Sequence, residues 1–164
     1  MAHPAPTRED APAAPHAEGR TRYADDLYSW VQEQVALLRA GRVDALDLDN
    51  FAEELSDVGL SDYHRLTSAV EIVLLHMLEW DHQPERHSRS STLSIAEHRE
   101  RILIQLRKSP GLRSSLDEAQ RDGFRLGRLG AARQMRRSPK TLPAECPYSW
   151  DDILNRPFEV DVDR

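Results

Sequence analysis

The sequence predicts an all-α protein, a four-to-five-helix bundle with a disordered N-terminal tail. Apolar residues recur at three- and four-residue spacing in successive segments, and Gly and Pro punctuate the boundaries between them. No segment shows the sustained period-two alternation with β-branched enrichment that a strand needs. At 164 residues, with 39% hydrophobic and 30% charged side chains, the chain is long enough to bury one core and keeps a generous solvated surface.

Residues 2–20 hold Pro4, Pro6, Pro12 and Pro15 among Ala, Glu and His, without a large apolar side chain, so residues 1–21 are expected as a disordered tail. Residues 22–158 form the expected helical domain, and residues 159–164 a flexible C-terminus. The first helix should start near Tyr23, capped by Asp25 or Asp26, with Leu27, Trp30, Val31, Gln34, Leu37 and Leu38 along one stripe and Gly41 ending it. Asp47 and Asp49 can cap a second helix bearing Phe51, Ala52, Leu55 and Val58, which Gly59 should stop. From Ser61 or Asp62 a new helix carries Leu66, Val70, Val73 and Met77, widened by Ile72, Leu74, Leu75 and Leu78. So broadly apolar a helix belongs in the centre of the fold until Pro84 breaks it.

A polar connection spans His82 to Arg89. The next helix is expected from about Ser91 to Lys108, with Ile95, Ile102, Leu103 and Leu106 inward and Pro110 closing it. Another should run from Leu112 to about Arg137. Gly123, Gly127 and Gly130 fall inside it, each costing about 1 kcal/mol relative to Ala. The expected reason for Gly123 and Gly127 is close approach to a partner helix. Past Pro143, Cys146 and Pro147, Ser149 and Asp152 sit in a capping-box pattern that opens a short last helix.

The formal net charge of −6 conceals an internal division. Residues 1–83 carry 16 acidic and 6 basic side chains, residues 84–140 carry 6 and 14, and residues 141–164 carry 6 and 2. Attraction between acidic and basic helices explains this most economically, with nucleic-acid binding the sharper alternative. The single cysteine, Cys146, excludes an intramolecular disulfide and fits a reducing compartment. No apolar run reaches a membrane span, and the N-terminal residues lack a signal-peptide pattern, so the expected location is the cytoplasm.

Several separated motifs resemble one known family. Asp26-Leu27-Tyr28-Ser29-Trp30, Gln32-Glu33-Gln34, Leu38-Arg39-Ala40-Gly41 and Asp49-Asn50 with Ala52-Glu53-Glu54 are similar to the opening of the bacterial domain of unknown function number 29. His76-Met77-Leu78-Glu79-Trp80, Gln83-Pro84, Arg86, Ser88-Arg89-Ser90, Ser109-Pro110 and Cys146-Pro147-Tyr148-Ser149 follow in that family's order. The resemblance spans about Tyr23 to Phe158 and implies a helical bundle. It implies no activity, because the family has none assigned. The chain departs from the family pattern at Ser90-Ser91-Thr92, where an aromatic is usual, and at the three glycines, where alanines are usual.

The candidate chemistry gathers at the end of the central helix. Glu79 and His82 form Glu-x-x-His, the spacing that carboxylate di-iron bundles use because both side chains project from one helix face. Such sites need two of these pairs, and only one occurs here. His76, Glu79 and His82 are therefore weak catalytic candidates, and neither a metal nor a cofactor is expected. Arg86 and Arg89 are expected as ion-pair partners of Glu53 and Glu54, since the guanidinium fork matches a carboxylate. Arg121, Arg125 and Arg128 share a helical face and are weak candidates for nucleic-acid contact, with no aromatic interleaved for base stacking. No Arg is followed by a His at the four- to six-residue spacing of one class of helical nucleases. Cys146 has Glu145 and Pro147 beside it and no histidine downstream, a poor setting for a thiolate nucleophile. The leading expectation is a non-catalytic module that recognises a protein partner or self-associates. The alternative is a nucleic-acid-binding protein or nuclease using His76, Glu79, His82, Arg86 and Arg89 or the basic helix.

Overall fold

A computed structural model of the chain describes residues 20–159. The expected N-terminal tail, apart from Arg20 and Thr21, and the expected flexible C-terminus, apart from Glu159, lie outside the described residues. Among the described residues there are five α-helices and no strand: α1 (Leu27–Arg39), α2 (Leu48–His82), α3 (Arg89–Lys108), α4 (Leu116–Met135) and α5 (Trp150–Asn155). The chain divides after Ser56 into two compact units.

In the first unit Asp26 caps α1 by accepting the Ser29 N–H at 3.0 Å, and Gly41, at φ +70°, turns the chain after it. Trp30 is the large side chain it buries, packed edge-on against Tyr23 with ring centroids 5.0 Å apart. Asp47 organises the start of α2. Its Oδ2 accepts from Trp30 Nε1 at 3.2 Å and from Asn50 Nδ2 at 2.7 Å, while its N–H donates to the buried Gln34 Oε1 at 2.9 Å. These bonds satisfy polar groups that burial would otherwise penalise. Arg20 Nη1 donates to the Ala45 carbonyl at 2.7 Å, and Thr21 Oγ1 donates to Glu33 Oε1 at 2.5 Å.

Helix α2 departs from expectation. Gly59 does not stop it, and one helix of 35 residues runs from Leu48 to His82. An interior glycine costs about 1 kcal/mol, which is too little to break a helix whose flanking residues favour continuation. Leu55 and Val58, expected to face inward, are 59% and 67% exposed. Asp62, expected to restart a helix, lies inside α2, where its carboxylate accepts from Ser109 Oγ at 2.6 Å and Lys108 Nζ at 3.2 Å. The Ser109 and Lys108 hydrogen bonds hold that carboxyl well below the usual range.

The second unit packs around the later part of α2, where Leu66, Val70, Val73, Leu74, Met77 and Leu78 are wholly buried. Helix α3 starts at Arg89, two residues before its expected start, because Ser88 Oγ accepts the Ser91 N–H at 3.1 Å and serves as the cap. It buries Ile95, Ile102 and Leu106, but Leu103, expected inward, is 40% exposed. Helix α4 begins at Leu116 rather than Leu112, since Pro110–Ser115 coil as a 3-10 turn first. Gly123 and Gly127 bring it against α2 as expected: a Cβ on Gly127 would lie 2.8 Å from the Glu71 carbonyl oxygen, and one on Gly123 3.0 Å from Val70 Cγ1.

The Ser149–Asp152 capping box opens α5 as the spacing predicts. Arg99 holds that helix by donating from Nε to the Ile153 carbonyl at 2.7 Å and from Nη2 to the Asp152 carbonyl at 3.0 Å. Asp81, near the end of α2, accepts from Tyr148 Oη at 2.8 Å and from Arg156 Nη1 at 3.0 Å. Burial pushes the Asp81 carboxyl up, but the hydrogen bonds from Arg156 and Tyr148 outweigh it and leave the group below its ordinary value. Burial and the facing Asp81 carboxylate push the Tyr148 phenol far up.

Candidate functional site

A cleft of about 410 Å³ opens in the second unit where α2 ends, the chain turns at Pro84–Arg86 and α3 begins. Every lining residue but Trp80 has a polar or charged side chain. His76 and Glu79 come from α2, Gln83 and Arg86 from the turn, Ser90 and Ser91 from the first turn of α3, and Gln134 from α4. Trp80 and His87 form one wall, their rings stacked at 3.7 Å with 11° between the planes. His87 Nε2 lies 2.8 Å from the Trp80 carbonyl, and because a carbonyl only accepts, that nitrogen carries the proton.

The histidine and carboxylate of the sequence cluster meet here. His76 Nδ1 lies 2.9 Å from Glu79 Oε2, both side chains only 18% exposed, three residues apart on one helix face. A carboxylate orienting an imidazole in this way is one part of an acid–base relay. The other part is a nucleophile bonded to the second ring nitrogen, and the serines of the cleft are engaged elsewhere or free of the histidine. Ser88 Oγ caps α3 and shares a 2.9 Å hydrogen bond with Ser91 Oγ. No hydrogen bond joins His76 to a serine among the described residues. Nor do three His, Cys, Asp or Glu side chains gather there in a group that could hold a metal ion.

The remaining sequence candidates are placed as follows. Arg86 lines the cleft, and its guanidinium makes no hydrogen bond or ion pair among the described residues. His82 ends α2 outside the lining, its carbonyl accepting from Arg137 Nη1 at 3.0 Å, and Arg89 starts α3 outside the lining as well. Glu53 and Glu54 belong to the first unit, where Glu54 Oε1 accepts from Tyr23 Oη at 2.7 Å. Arg121 is exposed, and Arg125 lies 3.9 Å from Asp122. Arg128 donates to the Pro139 and Leu142 carbonyls at 2.6 and 3.3 Å, fastening the chain that leaves α4. Cys146 is half-buried with Gln120 Nε2 3.4 Å from its sulfur.

His87, which follows Arg86 in the sequence cluster, lines the cleft, whereas Ser91 and Gln134 were absent from the sequence candidates. Ser91 lies two residues after Arg89, so extending the cluster along the chain would have reached it. Gln134 comes from a helix far along the chain and carries no local signal.

Fold and cleft define a small all-α protein with a polar pocket and no assembled catalytic relay among its described residues. The family model described as "Domain of unknown function DUF29" matches residues 22–159, and the chain belongs to that family. Against the curated proteins and the solved structures the chain finds no match. No helix among the described residues is long and apolar enough to cross a membrane.

Proposed function

We propose that the chain is a non-catalytic recognition module whose cleft in the second unit receives a polar, anion-bearing segment of a protein partner. The observation that carries this reading is the contrast within the lining. His76 Nδ1 and Glu79 Oε2 bond to each other at 2.9 Å with no serine joined to the histidine, whereas Arg86, an exposed residue of the lining, has no side-chain hydrogen bond or ion pair among the described residues. Covalent catalysis needs a base bonded to a nucleophile, while recognition needs donors left over for a ligand. The lone cysteine supports a reducing compartment such as a bacterial cytoplasm. Contact with nucleic acid has less to draw on, because Arg128 is taken up by two carbonyls and Arg125 stands beside Asp122.

The test is selection from a random peptide library on the purified chain, alongside turnover assays on generic phosphate and carboxylate esters and single-stranded RNA. Enriched peptides should be acidic, should lose binding on Arg86→Ala, and should be released unaltered. Turnover that disappears on His76→Ala would overturn the reading, as would enrichment indifferent to Arg86.

A further inference from the structure

We infer that the cleft is an oxyanion site for a phosphate monoester, an inference that rests on the recognition reading and narrows its ligand. The donors exceed what a carboxylate can use. Arg86 presents a planar fork of N–H groups, and the side chains of Gln83, Ser90 and Gln134 likewise make no hydrogen bond among the described residues. A carboxylate offers two oxygens and one charge. A phosphate monoester offers three terminal oxygens and up to two charges, and so can satisfy a guanidinium together with hydroxyl and amide donors.

The one carboxylate of the lining is Glu79, whose Oε2 is held by His76 Nδ1 at 2.9 Å with both side chains mostly buried, whereas Arg86 is exposed. Arg86 is therefore the charged group that a ligand arriving from solvent meets first. A volume of about 410 Å³ also exceeds one phosphate and leaves room for the atom that carries it and part of the attached chain. The source is a phosphorylated side chain or free phosphate, and the two differ in how much of the cleft they fill.

The experiment is calorimetric titration of the full chain at fixed ionic strength with three probes: inorganic phosphate, a short phosphoserine peptide, and the same peptide with Glu in place of the phosphoserine. Arg86→Ala, Arg86→Lys and the remote surface variant Arg113→Ala are titrated in parallel. The phosphoserine peptide should bind about tenfold or more tighter than its Glu counterpart, and Arg86→Ala should remove that preference while Arg113→Ala keeps it. Arg86→Lys should fall between them, since an ammonium keeps the charge and loses the fork. Inorganic phosphate bound as tightly as the peptide would assign the site to free phosphate, and weaker binding would assign it to a phosphorylated partner. Absence of phosphate binding, an equally bound Glu peptide, or equal losses in the Arg86 and Arg113 variants would each overturn the inference. If library peptides still depend on Arg86 in that event, the recognition reading stands alone. If phosphate binds and no peptide does, the reading falls and the oxyanion site stays.

Discussion

Gly127 and Gly59 both lie inside helices, and their surroundings are opposite. A methyl group on Gly127 would press against the Glu71 carbonyl oxygen at 2.8 Å and the Leu75 amide nitrogen at 3.2 Å, and backbone cannot step aside as a side-chain tip can. At Gly59 nothing lies within 4 Å. Gly127→Ala should therefore lower stability by about 1–3 kcal/mol despite its better helix propensity. Gly59→Ala should raise it by up to about 1 kcal/mol. Urea unfolding of the two variants beside the wild type checks both signs, and a stabilised Gly127→Ala would contradict the close approach of α4 to α2. The need for close packing at Gly127 was legible from three glycines recurring in one helical pattern. The facing residues were not, because a glycine records that room is scarce without recording what takes it. Glu79 shows the same division: the sequence spacing paired it with His82, whereas the structure bonds it to His76 and leaves His82 outside the cleft lining.

Caps and apolar stripes made most helix boundaries legible, as with Asp26 before α1, Ser149 before α5 and Pro84 after α2. Asp62 misled because an Asp two residues after a Gly–Leu step looks like a helix start, whereas its carboxylate serves Lys108 and Ser109 across the packing of α2 and α3. Asp81 plays the corresponding part at the other end of α2, joining it to Tyr148 and Arg156 around α5. Its folded-state pKa is depressed, so the stability it contributes is present above the unfolded value near 3.9 and is lost as pH falls through the lower folded value. With the Asp81 and Arg156 side chains 30% and 33% exposed, solvent screening limits the contribution to about 1–2 kcal/mol. Asp81→Asn should cost that much at pH 7, and the gap from wild type should narrow toward pH 3. Urea midpoints at the two pH values measure it; a gap that stays constant would show that the lost stability does not come from the carboxylate charge.

Among the described residues, the charge division found in the sequence is met by few direct links between elements. Lys108–Asp62 and Arg156–Asp81 join separate elements of the second unit, whereas Arg65–Asp62, Arg101–Glu97 and Arg125–Asp122 are local pairs on one helix surface and individually worth little. Burial is divided more sharply than charge. In the first unit only Trp30 and Gln34 of the described residues are fully buried, while Leu27, Tyr28, Leu38, Leu48 and Leu55 stay exposed. In the second unit the buried residues of α2 begin only at Leu66 and continue to Leu78. Local opening is easiest where few apolar contacts hold the backbone, so protection against hydrogen exchange should rise along a single helix. Amides of residues 48–56 and of α1 should exchange at least about tenfold faster than those of residues 67–78, a difference of about 1.4 kcal/mol in opening free energy. Residue-resolved exchange on the free chain measures this directly. A uniform profile along α2 would mean that the first unit is held by more than Trp30, its hydrogen bond to Asp47 and the Asp47–Gln34 hydrogen bond, and a repeat at tenfold lower protein concentration would show whether a second copy supplies the difference.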